Sequence, residues 1–81
     1  MGNSIYQRVI DFTANYLSIS PGSVSPSDTY SGLGIPETDM PVYMEQLENS
    51  FSLIYNPGDA NGIVIVEDAI VFIKNKIGPQ Q

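Results

Sequence analysis

Residues 40–51 read MPVYMEQLENSF, and the large apolar side chains of this stretch recur with the period of an α-helix. They are four, three and four positions apart: Met40, Met44, Leu47 and Phe51. A proline in the first turn is compatible with a helix, because the N–H groups at that end have no partner inside the helix. The spacing therefore predicts an amphipathic helix that begins near Thr38 or Asp39, either of which is a good N-cap residue.

The same stretch carries acidic residues that we assign to its solvent side. Glu45 and Glu48 are three positions apart and are predicted to point away from Met44 and Leu47. Together with Asp39 at the start of the helix, they would form an acidic edge. Such an edge either meets a basic partner or only keeps the protein soluble.

Two further segments, one on each side, also have helical periodicity. Residues 4–19 carry an apolar stripe made of Ile5, Val9, Phe12 and Tyr16, widened by Tyr6, Ile10, Thr13 and Leu17. Ser4 and Gln7 have the spacing of a capping box at the start of this segment. Residues 66–77 carry a stripe made of Val66, Ala69, Ile70, Ile73 and Ile77. Both segments are therefore predicted to be amphipathic helices.

The connections between these segments complete the predicted layout. Residues 20–38 are rich in Ser, Thr, Pro and Gly and are predicted to form a long loop. Its apolar residues should tie it to the core: Val24, Tyr30, Leu33 and Ile35. Residues 63–66 read IVIV and favour β-structure locally, but without a partner strand we expect an extended lead-in to the last helix. The prediction is an all-α bundle of three to four helices with a long first loop, forming a single domain over residues 1–81.

The composition excludes several classes of function. Nine acidic residues against three basic ones give a net charge of −6, which disfavours nucleic acid and anionic membrane surfaces as partners. The chain has no Cys and no His, so the commonest nucleophile, general base and metal ligands are missing. We therefore expect no catalytic residue, no metal site and no enzymatic activity. No targeting or membrane segment is recognisable, and we expect a cytoplasmic monomer.

Within this layout, residues 30–35 read YSGLGI, residues 47–51 read LENSF and residues 66–73 read VEDAIVFI. These three segments resemble acyl carrier proteins and the related peptidyl carrier proteins. The loop of that family ends in an aromatic residue, then Leu-Gly and an apolar residue, and residues 30–35 here read YSGLGI. Its second helix ends with a Leu, an acidic residue and a Phe four positions after the Leu, as in residues 47–51, LENSF. Its last helix carries a Val, an Ala-Ile pair and an aromatic-Ile pair, as in residues 66–73, VEDAIVFI. The resemblance extends over residues 5–77 and implies a carrier-like helix bundle.

The departure from this family falls at its defining site. Carrier proteins have Asp-Ser-Leu at the start of the second helix, and the Ser holds a phosphopantetheine arm. Aligned without a gap, residues 36–38 are Pro-Glu-Thr, so Glu37 stands in place of the serine. The arm is attached when a side-chain hydroxyl attacks the phosphate of the cofactor, and a carboxylate has no such hydroxyl. We therefore expect no phosphopantetheine cofactor. A one-residue shift of the alignment would make Thr38 the acceptor. In the purely structural interpretation, Thr38 is a helix cap, and the Glu37 carboxylate stabilises the helix through its dipole.

The resemblance implies a non-enzymatic protein that acts by protein contact in or near fatty-acid, polyketide or nonribosomal peptide metabolism. Carboxylates on the second helix of the family meet basic patches on its partner enzymes. The matching candidates for partner binding here are Asp39, Glu45 and Glu48, with a carrier-recognising enzyme as the expected partner. Two alternatives remain, which are a true carrier loaded at Thr38 and an unrelated acidic docking or adaptor module.

Overall fold

Four α-helices and no β-strand are present in residues 4–78, the part of the chain that the computed structural model describes. They are α1 (Ile5–Leu17), α2 (Tyr30–Leu33), α3 (Met40–Ser50) and α4 (Val66–Ile77). The predicted all-α bundle of three to four helices is confirmed. No helix within these residues has the length and apolar character needed to cross a bilayer.

The three long helices share one apolar core. Its buried side chains are Val9, Ile10 and Ala14 of α1, Met40, Tyr43, Met44 and Leu47 of α3, and Val66, Ala69, Ile70 and Ile73 of α4. Tyr6, which the sequence placed on the apolar side of the first helix, is 43 % exposed instead, and Ile54, just after α3, is 78 % exposed. Tyr6 lies at the margin of its stripe, and Ile54 follows the end of α3, where helical periodicity no longer applies.

Helix α1 begins with half of the predicted capping box. Ser4 Oγ accepts a hydrogen bond from the Gln7 N–H at 3.0 Å. The Gln7 side chain does not return to Ser4 but donates to Asp11 Oδ1 at 2.9 Å, one turn further along. An i,i+4 partner on the helix surface therefore replaces the reciprocal contact.

The predicted long loop contains more helical structure than its composition indicated. Residues 21–23 and 37–39 form single 3₁₀ turns, and α2 lies between them. Thr29 Oγ1 caps α2 by accepting from the Gly32 N–H at 3.0 Å, and Gly34 ends it in the left-handed conformation with φ 106°. A Cβ on residue 32 would lie 2.7 Å from Thr29 Oγ1, so glycine is required for this close cap.

The apolar residues of this connection hold it to the core as predicted, with one difference of degree. Val24, Tyr30 and Ile35 are buried, and Leu33 is partly buried against them.

The extended lead-in to α4 pairs with the long connection through the backbone. Three hydrogen bonds join them: Tyr30 N–H to Val64 O at 3.0 Å, Val66 N–H to Asp28 O at 3.0 Å, and Glu67 N–H to Pro26 O at 2.9 Å. The residue pair Thr29 and Ile65 forms an isolated antiparallel bridge. The expected extended conformation before α4 is confirmed, and its partner is the loop. These bonds also satisfy two N–H groups in the first turn of α4.

Candidate functional site

Glu37, the residue expected in place of the carrier serine, lies at an exposed 3₁₀ turn before α3. Residues Glu37–Asp39 form this turn, and the Asp39 N–H donates to Pro36 O at 2.9 Å. The α-helix follows directly from Met40, so the predicted start near Thr38 or Asp39 is close to the observed one. Pro36 is extended, with φ −69° and ψ 158°, and sets the direction in which the turn begins.

The expectation that Thr38 caps α3 is wrong. Asp39 is the N-cap residue of α3, and no side chain accepts a hydrogen bond from the helix start. Asp39 has right-handed backbone angles of φ −94° and ψ −6°, because the 3₁₀ turn runs continuously into the helix. A side-chain cap needs an extended backbone at that position. Glu37, Thr38 and Asp39 are consequently all exposed, and the Thr38 hydroxyl has no hydrogen-bond partner among residues 4–78.

A cleft of about 400 Å³ adjoins this turn. It lies between α2 with its flanks, the start of α3, and the chain segment that leads into α4. The lining residues are Tyr30, Ser31, Ile35, Glu37, Met40, Pro41 and residues 60–64. Glu37 is the one charged residue among them, and the walls are mostly apolar.

The tyrosine that lines the cleft belongs to a buried hydroxyl network. Thr13 Oγ1 donates to Val9 O at 2.8 Å, so its oxygen must accept from Tyr43 OH at 2.7 Å. Tyr43 then has no second proton, and its oxygen must accept from Tyr30 OH at 2.8 Å. The chain of donors therefore runs from Tyr30 through Tyr43 and Thr13 to the backbone of α1.

Burial and mutual contact keep these phenols protonated. Burial raises the pKa of Tyr30, and the adjacent Tyr43 raises it further. Burial also raises the pKa of Tyr43, although its hydrogen bonds with Thr13 and Tyr30 oppose the shift. The Tyr43 ring packs against Phe12, Tyr16 and Tyr30, with centroid separations of 5.7, 5.3 and 4.7 Å. The network joins the loop to α1 and α3 and thereby fixes the floor of the cleft.

The prediction that Glu48 belongs to an exposed acidic edge is wrong. Its side chain is fully buried and forms an ion pair with Lys76 of α4. The spacing explains the burial, because Glu48 is one helical turn after Met44, which is itself buried in the core. The signal available in the sequence was a carboxylate one turn along an apolar stripe, where burial requires a counter-ion, and Lys76 is that counter-ion.

Lys76 joins three parts of the chain at this buried charge. It also donates to Asp59 Oδ2 at 2.6 Å and to Ile54 O at 2.7 Å. Glu48 Oε2 has no hydrogen-bond partner among residues 4–78. The pair thus fixes the segment between α3 and α4 onto the bundle while one carboxylate oxygen stays unsatisfied.

The pKa values in this group shift in different directions. Burial raises the pKa of Glu48 above its ordinary value of 4.5, although the hydrogen bond from Lys76 opposes the shift. Burial also disfavours ionised Asp59, yet hydrogen bonds from Lys76 and the Asn56 N–H hold its pKa below the usual value. Desolvation would lower the pKa of Lys76, but its bonds to Asp59 and Glu48 raise it.

With Glu48 buried, the predicted acidic edge keeps only Asp39 and Glu45, and the exposed Glu37 lies next to them in the chain segment before α3. Of the basic residues, Lys76 is engaged at Glu48, and Arg8 donates to Ser50 O at 3.1 Å with its guanidinium 3.9 Å from the centre of the Phe51 ring. Residues 4–78 contain no cluster of three or more potential metal-ligating side chains. The arrangement is suited to non-covalent contact with cations.

The chain is similar over most of its length to an acyl carrier protein of Nitratidesulfovibrio vulgaris (strain DSM 19637 / Miyazaki F). The two are 28 % identical over 74 residues, which cover 90 % of this chain and 97 % of that protein. No protein-family model matches the chain, and no solved structure matches it significantly. The similarity supports the resemblance carried by residues 30–35, 47–51 and 66–73.

Proposed function

We propose that this protein is an acyl-carrier-like scaffold that carries no phosphopantetheine and acts by protein contact in or near fatty-acid, polyketide or nonribosomal peptide metabolism. The observation that carries the proposal is Glu37, exposed at the turn before α3 where the family has its serine. A carboxylate lacks the hydroxyl that attacks the cofactor's phosphate. The covalent arm is the part of a carrier protein that holds its cargo. Without the arm, the proposed role is recognition of a partner protein.

The surface proposed for recognition is the exposed acidic side of α3. Asp39 and Glu45 are exposed there, on a chain of net charge −6. Carboxylates of this kind act mainly on association rate and partner choice, and salt screens them. The partner proposed is an enzyme that recognises carrier proteins through a basic surface. Glu48 is removed from this surface by its burial.

A second candidate function is that of a true carrier loaded at Thr38. The observation in its favour is that the Thr38 hydroxyl is exposed and bonded to no other described group. Thr38 is one residue beyond the expected position, and its β-branch restricts the side-chain rotamer needed for attack. Both points disfavour it against a phosphopantetheine-free scaffold.

Intact-mass measurement separates the two candidates. The purified chain is incubated with coenzyme A and a phosphopantetheinyl transferase of broad specificity, next to a carrier protein that the enzyme loads. We expect no change in the mass of this chain. A gain of one phosphopantetheine that is lost in Thr38→Val would overturn the proposal and establish the second candidate. Thr38→Val is the suitable variant because it keeps the shape of the side chain and removes only the hydroxyl.

Contact through α3 is tested separately with carrier-recognising enzymes such as a ketosynthase. Reversing the charge of Glu45 should weaken binding and flatten its salt dependence, and Asp39→Lys should do the same. Glu67→Lys, at an exposed position on α4, is the matched control for net charge. Equal effects of all three reversals would show that total charge matters and that the α3 surface does not.

A further inference from the structure

The cleft beside Glu37 combines features that point to a ligand of a particular chemistry. Its floor is formed by the rings and chains of Tyr30, Ile35 and Met40, which are almost fully buried and therefore held in place. The opposite wall comes from Ala60 and Ile63. Pockets of this volume with apolar walls and a few polar groups are typical of sites for small organic groups.

The polar groups of the cleft set the charge that it accepts. Glu37 supplies the one charge of the lining, a negative one, and none of the three basic residues of the chain forms an ion pair with it. Ser31 and Asn61 add neutral hydrogen-bonding groups. An anionic ligand would meet the Glu37 carboxylate and a net charge of −6. A cation on an apolar chain would pair with the Glu37 carboxylate and pack against the apolar walls.

We propose that the cleft binds a primary ammonium group on a short unbranched apolar chain, presented as a lysine side chain of a partner protein. The four methylenes of a lysine would lie lengthwise along the apolar walls of the open cleft, and the ammonium group would reach the exposed Glu37 carboxylate. The ammonium site is inferred from the cleft alone. That the lysine belongs to a partner protein depends on the proposed function. A non-covalent lysine contact would then take the position at which the family has its covalent arm.

The test is a titration of the isotopically labelled chain, followed by amide chemical shifts. The probes are Nα-acetyl-lysine-N-methylamide and its norleucine counterpart, which has an aliphatic chain of similar length and no charge. We expect the lysine probe to produce saturable shifts at Ser31, Gly62 and Ile63, with a dissociation constant on the order of millimolar. Norleucine should bind several-fold more weakly, and added salt should weaken only the lysine probe.

Variants at the rim make the assignment specific. Glu37→Gln keeps the size of the side chain and removes its charge, and should weaken the lysine probe roughly two- to five-fold, the range of an exposed ion pair. Glu67→Gln removes an exposed charge that lies outside the lining and outside the surface proposed for recognition, and it should leave the affinity unchanged. An unchanged affinity in Glu37→Gln would overturn the proposal.

Two further probes separate other occupants of the cleft. Hexanoate that binds as well as the lysine probe would overturn the cationic assignment and indicate a site for acyl chains. Hexylammonium that binds at least ten-fold more tightly than the blocked lysine would overturn a protein side chain as the source and indicate a free amine. Because the titration uses the chain without an arm, its result is independent of whether the mass measurement supports the proposed function.

Discussion

Lys76→Met should destabilise the protein strongly at neutral pH and weakly in mild acid. The substitution keeps an apolar stem of similar length and removes the ammonium group that pairs with fully buried Glu48. Breaking a buried pair from one side costs about 3–5 kcal/mol, because the remaining charge has no counter-ion. The carboxyl can instead take up a proton on folding, which costs about 1.4 kcal/mol for each pH unit above its ordinary pKa of 4.5.

Protonation sets the upper limit on this cost and makes it depend on pH. At pH 7 the limit is about 3 kcal/mol, and at pH 5 it falls to under about 1 kcal/mol. Loss of the two other bonds of Lys76, to Asp59 and to Ile54 O, adds about 1 kcal/mol at either pH. The cost should therefore fall from about 4 kcal/mol at pH 7 to about 2 kcal/mol at pH 5, out of the 5–15 kcal/mol typical of a domain.

Urea unfolding followed by far-ultraviolet circular dichroism measures these differences. Lys74→Met, which removes an exposed lysine from the same helix, is the matched control and should cost under about 0.5 kcal/mol. The double variant Glu48→Gln/Lys76→Met should recover part of the loss at pH 7, because it leaves no buried charge. A cost for Lys76→Met that equals the control, or that does not change between pH 5 and pH 7, would show that Lys76 does not stabilise a buried charge on Glu48.

Three further predictions follow from the packing. Because the pKa of Glu48 is raised on folding, the folded protein holds this proton more tightly than the unfolded chain does. The contribution of Glu48 to stability should therefore fall as pH rises from about 4.5 through the raised folded-state pKa. The difference in the free energy of urea unfolding between wild type and Glu48→Gln should shrink over that pH range. Tyr43→Phe should cost about 1–3 kcal/mol of unfolding free energy, because it leaves the buried Tyr30 hydroxyl without an acceptor. Tyr30→Phe should cost less, because Tyr43 stays bonded to Thr13, and the exposed control Tyr6→Phe should also cost less. Leu33→Ala should cost about 1–2 kcal/mol, less than for a fully buried leucine, and a loss under about 0.5 kcal/mol would show that Leu33 does not hold the loop.

Local periodicity was sufficient to predict the long helices, because each one buries a stripe that repeats every three or four residues. Helix α2 was missed because it has only four residues and is specified by Thr29 and Gly34 at its ends, which composition alone assigns to a loop. The pairing of the lead-in with residues 26–30 depends on backbone groups, and these are the same for every sequence.

The candidate site could be predicted only in part, for a similar reason. The resemblance drew attention to Glu37, just before a predicted helix, but the cleft beside it also needs the distant residues 60–64, which only the folded chain brings there. Glu48 was assigned to solvent because charged residues are usually exposed. Its burial depends on Lys76, which is 28 positions away and is recognisable as a partner only once α3 and α4 are packed together.

We propose that the chain retains the carrier scaffold and lacks only its acceptor site, so the most informative experiment restores that site. The variant P36D/E37S/T38L has the family's Asp-Ser-Leu at the turn before α3, and P36D/E37A/T38L is its control without a hydroxyl. Intact mass is measured after incubation with coenzyme A and a phosphopantetheinyl transferase. We predict a gain of one phosphopantetheine in the serine variant, and none in the alanine variant or in the wild-type chain. A serine variant that stays unloaded beside a loaded carrier protein, or a wild-type chain that is loaded, would contradict the claim.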